Sequence, residues 1–246
     1  AENWVAVDAR GEVVGWALSV SRAAHLELTF FFVDPDASAK GVGKRLLHLA
    51  FASRPERART IMATQDPSAL ALYLRTGVHF QSTVSDFMVQ SRRRDLPAGV
   101  EFRALTAADL DIVAALEGEL LGLRRIEDLR FLLETRPGWT AWRGGRVIGY
   151  AFGAQSSPEG ASDFPPTCGP IGVLDPLDMP GLIDKVIDSA PAATELCFSV
   201  PLVNSVAAAH LLQLGGKLDP FYVAVLSSVS GMKLDRFVNT APSFIL

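Results

Sequence analysis

The chain has 246 residues, enough for two modest domains that each bury a core of their own. Its formal net charge of −4 and isoelectric point near 5.6 argue against a nucleic-acid-binding protein, whose surface is basic. The two cysteines, Cys168 and Cys197, lack partners at metal-ligand spacing, so neither a metal site nor a disulfide framework is predicted. No apolar run approaches about eighteen residues and no targeting signal is evident, which favours a cytoplasmic protein without a membrane span.

The first predicted elements are a hairpin and a strand. Residues 4–17 hold alternating apolar runs on either side of a turn that contains a glycine. Residues 28–33 follow as an apolar strand, and their run of three phenylalanines predicts burial on both faces of a sheet. After a turn at Pro35, Gly41 and Gly43 precede a helix that begins with basic residues. The N–H groups at a helix start are unpaired and the helix dipole is positive there, so this loop is predicted to bind phosphate.

Two well-known glycine loops do not fit these residues. The P-loop requires Ser or Thr after Gly-Lys and a second glycine upstream, but Gly43-Lys44 is followed by Arg45 and the upstream position is Ser38. The dinucleotide-binding fingerprint requires a third glycine where this chain has Leu46. The loop therefore belongs to neither class.

The next predicted elements are a strand over residues 60–64, a helix, and a strand over residues 80–89. Asp66 is a good N-cap for the helix, and Pro67 suits its first position because the missing N–H would have no partner there. Gly77 can adopt the left-handed conformation that ends a helix. These residues therefore predict both ends of the helix.

Together, the two motifs resemble those of the GNAT superfamily of N-acyltransferases. The loop is similar to the family's Arg/Gln-x-x-Gly-x-Gly/Ala pyrophosphate loop, with Ser38 at the first position and Lys40 as a replacement cation. Residues 66–80 are similar to the family pattern Asn-x-x-Ala-x-x-Leu-Tyr-x-x-x-Gly-Phe, with Asp66 in the Asn place and two residues before Phe80. The resemblance implies an α/β (α+β) fold of mixed, mostly antiparallel sheets flanked by helices, with a central parallel strand pair.

The resemblance also implies a co-substrate site in this half of the chain. Acetyl-CoA or another acyl-CoA would place its pyrophosphate on the loop and pair its pantetheine arm with the preceding strand, as an added strand does. The residues expected to contact it are Phe31, Phe32, Val33, Ser38, Ala39, Lys40, Gly41, Val42, Gly43, Lys44 and Arg45. One of the strand N–H groups could also face the thioester oxygen.

Two side chains are candidates for catalysis. Tyr73 occupies the position at which family members carry a general acid near the coenzyme sulfur, and a core tyrosine with a satisfied hydroxyl is the alternative. Glu27 lies on the strand leading to the loop, where many family members keep a carboxylate that accepts a proton or holds water. A solvated strand-end glutamate is the alternative. The four histidines are isolated in the sequence, so no role is predicted for them.

The second half of the chain repeats the first. Residues 139–151 repeat the hairpin of residues 4–17 with one residue deleted, and residues 204–215 repeat the capped helix of residues 66–77. The spacing between hairpin and helix is nearly the same in both halves. A tandem duplication is therefore predicted.

The predicted copies are residues 1–95 and residues 96–246, joined by a charged linker with Pro and Gly over residues 91–99. Before its hairpin, the second copy has a strand and two helical stretches over residues 100–135. The first copy has no counterpart before Trp4. We therefore expect that roughly forty residues of the first copy were removed, lost or not included. A naturally short first domain is the alternative.

Only the first copy is predicted to bind the co-substrate. The second copy has two prolines and two aspartates around its loop over residues 173–182, where prolines remove N–H donors and aspartates repel phosphate. Leu211 stands in the place of Tyr73, and the second copy carries the net negative charge. The further elements predicted in it cover residues 170–174, 182–189, 195–200, 205–214 and 221–228, with a tail strand in residues 237–246.

The predicted function is an N-acetyltransferase that transfers an acetyl or other acyl group from acyl-CoA to a primary amine of a small molecule by direct attack. A non-catalytic acyl-CoA-binding sensor or scaffold is the alternative from another class. A third possibility is that the second copy binds the acceptor. The sequence identifies neither the acceptor nor the oligomeric state, and it predicts no nucleic-acid or membrane partner.

Overall fold

The computed structural model describes residues 1–22, 25–37, 41–52, 57–155 and 164–240. The chain forms two compact units. Unit 1 comprises Ala1–Gln81 with Ala224–Ser230, and unit 2 comprises Ser82–Val223 with Gly231–Leu246. The predicted copies, residues 1–95 and 96–246, are defined by a repeat in the sequence, whereas the two units are defined by contacts in the structure. The boundaries of the copies therefore stay a prediction.

The described chain contains both β-strands and α-helices. The strands are β1 (Glu2–Val7), β2 (Val13–Arg22), β3 (His25–Val33), β4 (Ala58–Ala63), β5 (His79–Gln90), β6 (Glu101–Ala104), β7 (Gly138–Arg143), β8 (Arg146–Phe152), β9 (Thr167–Cys168), β10 (Ile171–Val173), β11 (Glu195–Pro201), β12 (Lys217–Ser227) and β13 (Phe237–Val238). The α-helices are α1 (Val42–Ala52), α2 (Pro67–Leu74), α3 (Leu110–Leu121), α4 (Ile126–Thr135), α5 (Met179–Ser189) and α6 (Ser205–Gln213). The tail strand is confirmed at Phe237–Val238, and residues 241–246 lie outside the described residues.

Unit 1 is built on a mixed sheet in which β1, β2 and β3 pair antiparallel in chain order. Strand β3 then pairs parallel with β4, which confirms the predicted central parallel pair. The outer side of β4 pairs antiparallel with the end of β12, where Ala63 opposes Ala224 and Thr60 opposes Ser227. A segment distant in sequence therefore completes the sheet of unit 1.

Two glycines at repeated positions let a helix lie close to a sheet. A Cβ atom on Gly15 would lie 2.8 Å from Cδ1 of Leu46 on α1. A Cβ atom on Gly149 would lie 3.0 Å from Cδ2 of Leu182 on α5 and 2.6 Å from the carbonyl oxygen of Gly172. Each repeat therefore keeps a glycine at this position because any side chain would push the helix away from the strand.

The repeated helices α2 and α6 also begin and end alike. The Asp66 carboxylate accepts a hydrogen bond from the N–H of Ala69 at 2.7 Å, and the Asn204 side chain accepts one from Ala207 at 3.0 Å. Gly77 and Gly215 both have φ of 83°. These caps confirm the boundaries predicted from sequence and satisfy backbone groups that the helix itself leaves unpaired.

Unit 2 contains a sheet with the strand order β13-β10-β8-β7-β6. It also contains the antiparallel pair formed by residues 84–90 of β5 with β11, and β9 lies parallel to β11 on its other side. Strands from both groups share one core with helices α5 and α6, in which Phe87, Val173, Ile183, Phe198 and Leu211 are buried. The observed sheets are thus mixed and mostly antiparallel, as predicted.

The predicted linker is more structured than its composition indicates. Within unit 2, Nε of Arg94 lies 2.8 Å from Oδ1 of Asp184 on α5, and the Arg94 N–H donates to Asp188 at 3.2 Å. Arg94, within the predicted charged linker, therefore makes defined contacts with a helix. Its side chain is half-buried in an ion pair that holds the segment against the helix.

Candidate active site

The central feature of unit 1 is a slot between β3 and β4. The two strands pair over four rows, from His25 opposite Ala58 to Leu28 opposite Ile61. Beyond that row β3 runs on to Val33 and β4 to Ala63 without further pairing between these described residues. The backbone groups on this side of β3 can therefore pair with an extended ligand, as an added strand would.

A β-bulge lies where the slot opens. Leu28 opposes Ser19 of β2 and Phe30 opposes Leu18, so Thr29 is an extra residue on β3. The Thr29 hydroxyl donates to the carbonyl oxygen of Leu18 at 3.1 Å. A bulge bends a strand and redirects its backbone groups, so it explains why β3 leaves β4 at this row.

The three phenylalanines before the loop do not share one environment. Phe31 faces the core of unit 1, whereas Phe30 and Phe32 are 37 % and 59 % exposed. Both exposed rings stack with Trp16, at centroid distances of 5.2 and 6.3 Å. The prediction of a strand buried on both faces is therefore wrong, because side chains of successive strand residues point to opposite faces and only one face is covered in unit 1.

The glycine loop ends at the start of α1. Ser38, Ala39 and Lys40 lie outside the described residues. Gly41 has φ of 81°, a conformation that favours glycine, and its carbonyl oxygen accepts the Arg45 N–H at 3.1 Å. The N–H groups of residues 41–44 have no acceptor among the described residues, as expected for the first turn of a helix.

Three more loop residues have clear surroundings. Lys44 and Arg45 are exposed, so their charges are available to an anion at this helix start. A Cβ atom on Gly43 would lie 3.5 to 3.6 Å from Val33, Leu72 and Phe31, which is ordinary contact. The space beside Gly43 therefore faces β3 and α2 at the slot.

Tyr73 projects from α2 to the same slot. Its side chain is 5 % exposed, and its ring meets that of Phe31 edge to face with centroids 5.7 Å apart. Burial, and secondarily the charge of Asp66, raise the pKa of Tyr73 well above its usual value. The phenol is therefore protonated at neutral pH and can donate a proton. Its catalytic role stays a prediction.

Glu27 lies on β3, one row before the slot opens. It is 1 % exposed, and its Oε2 is 2.8 Å from Nη1 of Arg22 at the end of β2. The alternative of a solvated glutamate is therefore wrong. A buried carboxylate with this partner is held in a fixed position and keeps its charge paired.

A polar cluster around Glu27 was missed in the sequence. Its side chains share one face of the sheet: Arg22 opposes His25 in the β2–β3 register, and Glu27 opposes Thr60 in the β3–β4 register. His25 is buried, and its Nε2 is 2.7 Å from the Thr60 hydroxyl oxygen. Polar residues alternating along strands could have signalled this face, but the partner on β4 required the register.

The corresponding groove of unit 2 is filled by the chain itself. The strand that corresponds to β3 is β10. In unit 1, Gly15 of β2 opposes Val33 of β3, and in unit 2, the repeated glycine Gly149 of β8 opposes Val173 of β10. Tail strand β13 pairs antiparallel with β10, and the next residue, Asn239, donates its N–H to Ser199 of β11 at 2.8 Å. Strand β13 thus occupies the place that is open in unit 1.

The loop before α5 satisfies its own donors. The Asp175 carboxylate accepts the Leu177 N–H at 3.0 Å, and Pro176 has no N–H. Both features leave fewer donors for a phosphate than the loop of unit 1 has. They support the prediction that the second copy does not bind the co-substrate.

Neither a metal site nor a membrane-spanning helix is present in the described part of the chain. Within the described ranges, no three His, Cys, Asp or Glu side chains come together as a metal site requires. Across the same parts of the chain, no helix is long and apolar enough to cross a membrane.

The sequence and the fold both resemble known acetyltransferases. The family model of the acetyltransferase (GNAT) domain matches residues 1–78. No curated protein matches the sequence. An assigned acetyltransferase from Pyrococcus horikoshii is 14 % identical, with a TM-score of 0.65 over 93 % of this chain and 74 % of that one. A GCN5-related N-acetyltransferase from Sphaerobacter thermophilus is also 14 % identical, with a TM-score of 0.62 over 92 % of this chain and 80 % of that one.

A tandem GNAT protein from the clavulanic acid biosynthesis pathway is 17 % identical, with a TM-score of 0.55 over 93 % of this chain and 83 % of that one. Such low identities establish the fold alone, and the family match supplies the sequence evidence. Residues 1–78 therefore match the acetyltransferase (GNAT) domain model, and the chain has the fold of these solved GNAT structures, the tandem protein included.

Proposed function

We propose that the protein is an N-acetyltransferase that binds acetyl-CoA in unit 1 and transfers the acetyl group to a primary amine of a small molecule. The observation that carries the proposal is the slot at which β3 leaves β4, next to the start of α1 and to Tyr73. Unpaired backbone groups of β3, the N-terminus of α1 and the protonated phenol of Tyr73 all lie around this one opening.

The loop and strand account for the binding of the coenzyme. The N–H groups of residues 41–44 and the exposed Lys44 and Arg45 would bind the pyrophosphate. The pantetheine arm would pair with Phe31, Phe32 and Val33. Unit 2 supports this pairing, since β13 pairs with Ile171 and Gly172, which hold the positions of Phe31 and Phe32 in the repeat.

The chemistry requires one bond to form and one to break. The amine nitrogen attacks the thioester carbon, the carbon–sulfur bond breaks, and the leaving thiolate takes the proton of the Tyr73 hydroxyl. Glu27 accepts the proton released by the amine. Because the Glu27 side chain is 1 % exposed, this proton would pass through a water molecule. A strand N–H near the bulge at Thr29 would stabilise the charge on the thioester oxygen.

The test combines a binding and a turnover measurement. Calorimetry with acetyl-CoA should give a saturable isotherm, and a panel of small amines should release free thiol in the presence of the enzyme. Lys44→Glu should weaken coenzyme binding, whereas Arg10→Glu, the same charge reversal in an exposed turn, should not. Binding without thiol release from any amine would favour the sensor or scaffold instead.

A further inference from the structure

The sheet of unit 1 carries an apolar patch on the face of β1, β2 and β3 that points away from α1. The strand register places five side chains together there, and we call this patch the aromatic face: Val5, Trp16, Leu18, Phe30 and Phe32. Val5 is 53 % exposed, Phe30 and Phe32 are exposed as given above, and the other two are half-buried. Single exposed apolar residues are common on any surface, but a contiguous patch marks an interaction site.

The aromatic face presents carbon surface. Its one polar side-chain atom, the indole Nε1 of Trp16, donates its proton to Oδ1 of Asn3 on the same face. The Trp16 ring stacks with Phe30 and Phe32. A partner therefore gains free energy here by burying apolar groups, whereas a charged group placed on the patch would lose its water without gaining a partner.

The repeat in unit 2 shows what covers the corresponding face. Tyr150 holds the position of Trp16, and Gly172 holds that of Phe32. Tyr150 is fully buried, and the cover is helix α3. A Cβ atom on Gly172 would lie 2.8 Å from Cδ1 of Leu120 on that helix. The repeated hairpin is thus built to receive a helix on this face.

Helix α3 has the amphipathic pattern that such a face requires. Its buried residues share one side of the helix: Leu110, Val113, Ala114, Leu116, Glu117, Leu120 and Leu121. The charged member of this stripe, Glu117, accepts the Tyr150 hydroxyl proton at 2.7 Å and pairs with Arg125 at 2.6 Å. The stripe of α3 is therefore matched to the side chains of unit 2.

The aromatic face of unit 1 requires a different stripe. Unit 1 has Phe32 where unit 2 has Gly172, so a helix that packs equally close needs a small residue at the place of Leu120. Trp16 has no hydroxyl to donate, so a carboxylate at the place of Glu117 would be buried there without that hydrogen bond. The face therefore fits a helix whose stripe is uncharged and has Ala or Gly opposite Phe32.

We propose that the aromatic face of unit 1 docks an amphipathic helix of a partner polypeptide, whose uncharged apolar stripe presents Ala or Gly to Phe32. The helix lies on the sheet as α3 does in unit 2, and the recognition is that of an apolar helix face on an apolar surface. The inference does not depend on the proposed function, because Tyr73 contacts Phe31 on the other face of β3.

The probe is a synthetic peptide of residues 106–123 with Glu117→Ala and Leu120→Ala, which keeps the rest of the α3 stripe. Calorimetry with the 246-residue chain should give one saturable site. In nitrogen NMR, the peptide should shift the indole signal of Trp16, which Trp16→Phe identifies. The unaltered peptide should bind at least about tenfold more weakly, because it buries an unpaired carboxylate.

Variants of the chain locate the binding surface. Phe30→Glu and Phe32→Glu should each weaken binding of the altered peptide by at least about tenfold, because each places a charge under the helix. Phe80→Glu is the matched control, since Phe80 of unit 1 is as exposed as Phe32, at 59 %, but lies outside the aromatic face. It should leave binding unchanged, and circular dichroism checks that each variant is folded.

Three results would overturn the proposal. The first is no binding of the altered peptide to the wild-type chain at up to about 1 mM, the concentration of a very weak complex. The second is binding that folded Phe30→Glu and Phe32→Glu both leave unchanged. The third is a dimer of the chain in sedimentation that Phe32→Glu dissociates, because a second copy would then cover the aromatic face.

Discussion

Removal of the Tyr73 hydroxyl should distinguish a catalytic role of this group from a role of the side chain in packing. The ring is 5 % exposed and meets Phe31 edge to face, and Tyr73→Phe keeps both the volume and that contact. No hydrogen bond of the Tyr73 hydroxyl is present among the described residues, so the free energy of unfolding should change by less than about 1 kcal/mol.

The turnover rate of Tyr73→Phe should fall much more than its stability. Loss of a general acid lowers a rate by roughly 10²- to 10⁴-fold, equivalent to about 3 to 5 kcal/mol of activation free energy. The pKa of Tyr73 is raised, so the wild type should lose no activity through ionisation of this phenol up to about pH 10. Thiol release measures the rate, and calorimetry with acetyl-CoA should show an unchanged Kd.

A matched control is available in unit 2. The Tyr150 hydroxyl donates to Oε1 of Glu117 at 2.7 Å, and both side chains are fully buried. Tyr150→Phe should therefore cost about 1.5 to 3 kcal/mol of stability and leave turnover unchanged. A Tyr73→Phe enzyme that works within threefold of the wild type would show that Tyr73 is a packing residue and that the thiolate takes its proton elsewhere.

Three further outcomes are expected. In urea titrations, Gly41→Ala should lower the free energy of unfolding by about 1 kcal/mol because its φ is 81°, whereas Gly43→Ala should raise it slightly because Gly43 is helical and a Cβ there makes only ordinary contacts. A loss of the same size in both would contradict this backbone assignment. Arg125→Met should cost about 3 to 5 kcal/mol, since it leaves the buried Glu117 carboxylate without its partner at 2.6 Å, and the double variant Arg125→Met with Glu117→Gln should recover part of the loss in thermal unfolding. Calorimetry of the wild-type chain should give one acetyl-CoA per chain, and a second site would show that the groove of unit 2 opens when Phe237 leaves it.

Much of the local structure could be predicted from the sequence. Asp66 and Pro67 fix the start of a helix through the shape and bonding of their own side chains, and Gly77 fixes its end through its own φ. The repeated motif from Asn204 to Gly215 then indicated the same helix again. These features depend on neighbours within a few residues, so a linear pattern contains them.

The site itself was only partly predictable. The position of the loop and of Tyr73 followed from motifs that resemble a known family. The ion pair between Arg22 and Glu27, however, depends on the pairing of β2 with β3, and the Thr60 contact depends on the register of β3 with β4. Arg22 and Glu27 are five positions apart, but the register decides that they share a face, and the Thr60 contact joins residues 35 positions apart, which leaves no local signal.

The sequence by itself predicted a tandem repeat, located its glycine turns and helix caps, and indicated which half has a loop suited to phosphate. Only the tertiary structure decided that β3 leaves β4 at a bulge, that residues 224–227 complete the sheet of unit 1, and that Phe237–Val238 fill the groove of unit 2. The physical reason is that strand pairing joins backbone groups far apart in the chain. The free energy of such pairing depends on which edges are open in the folded sheet.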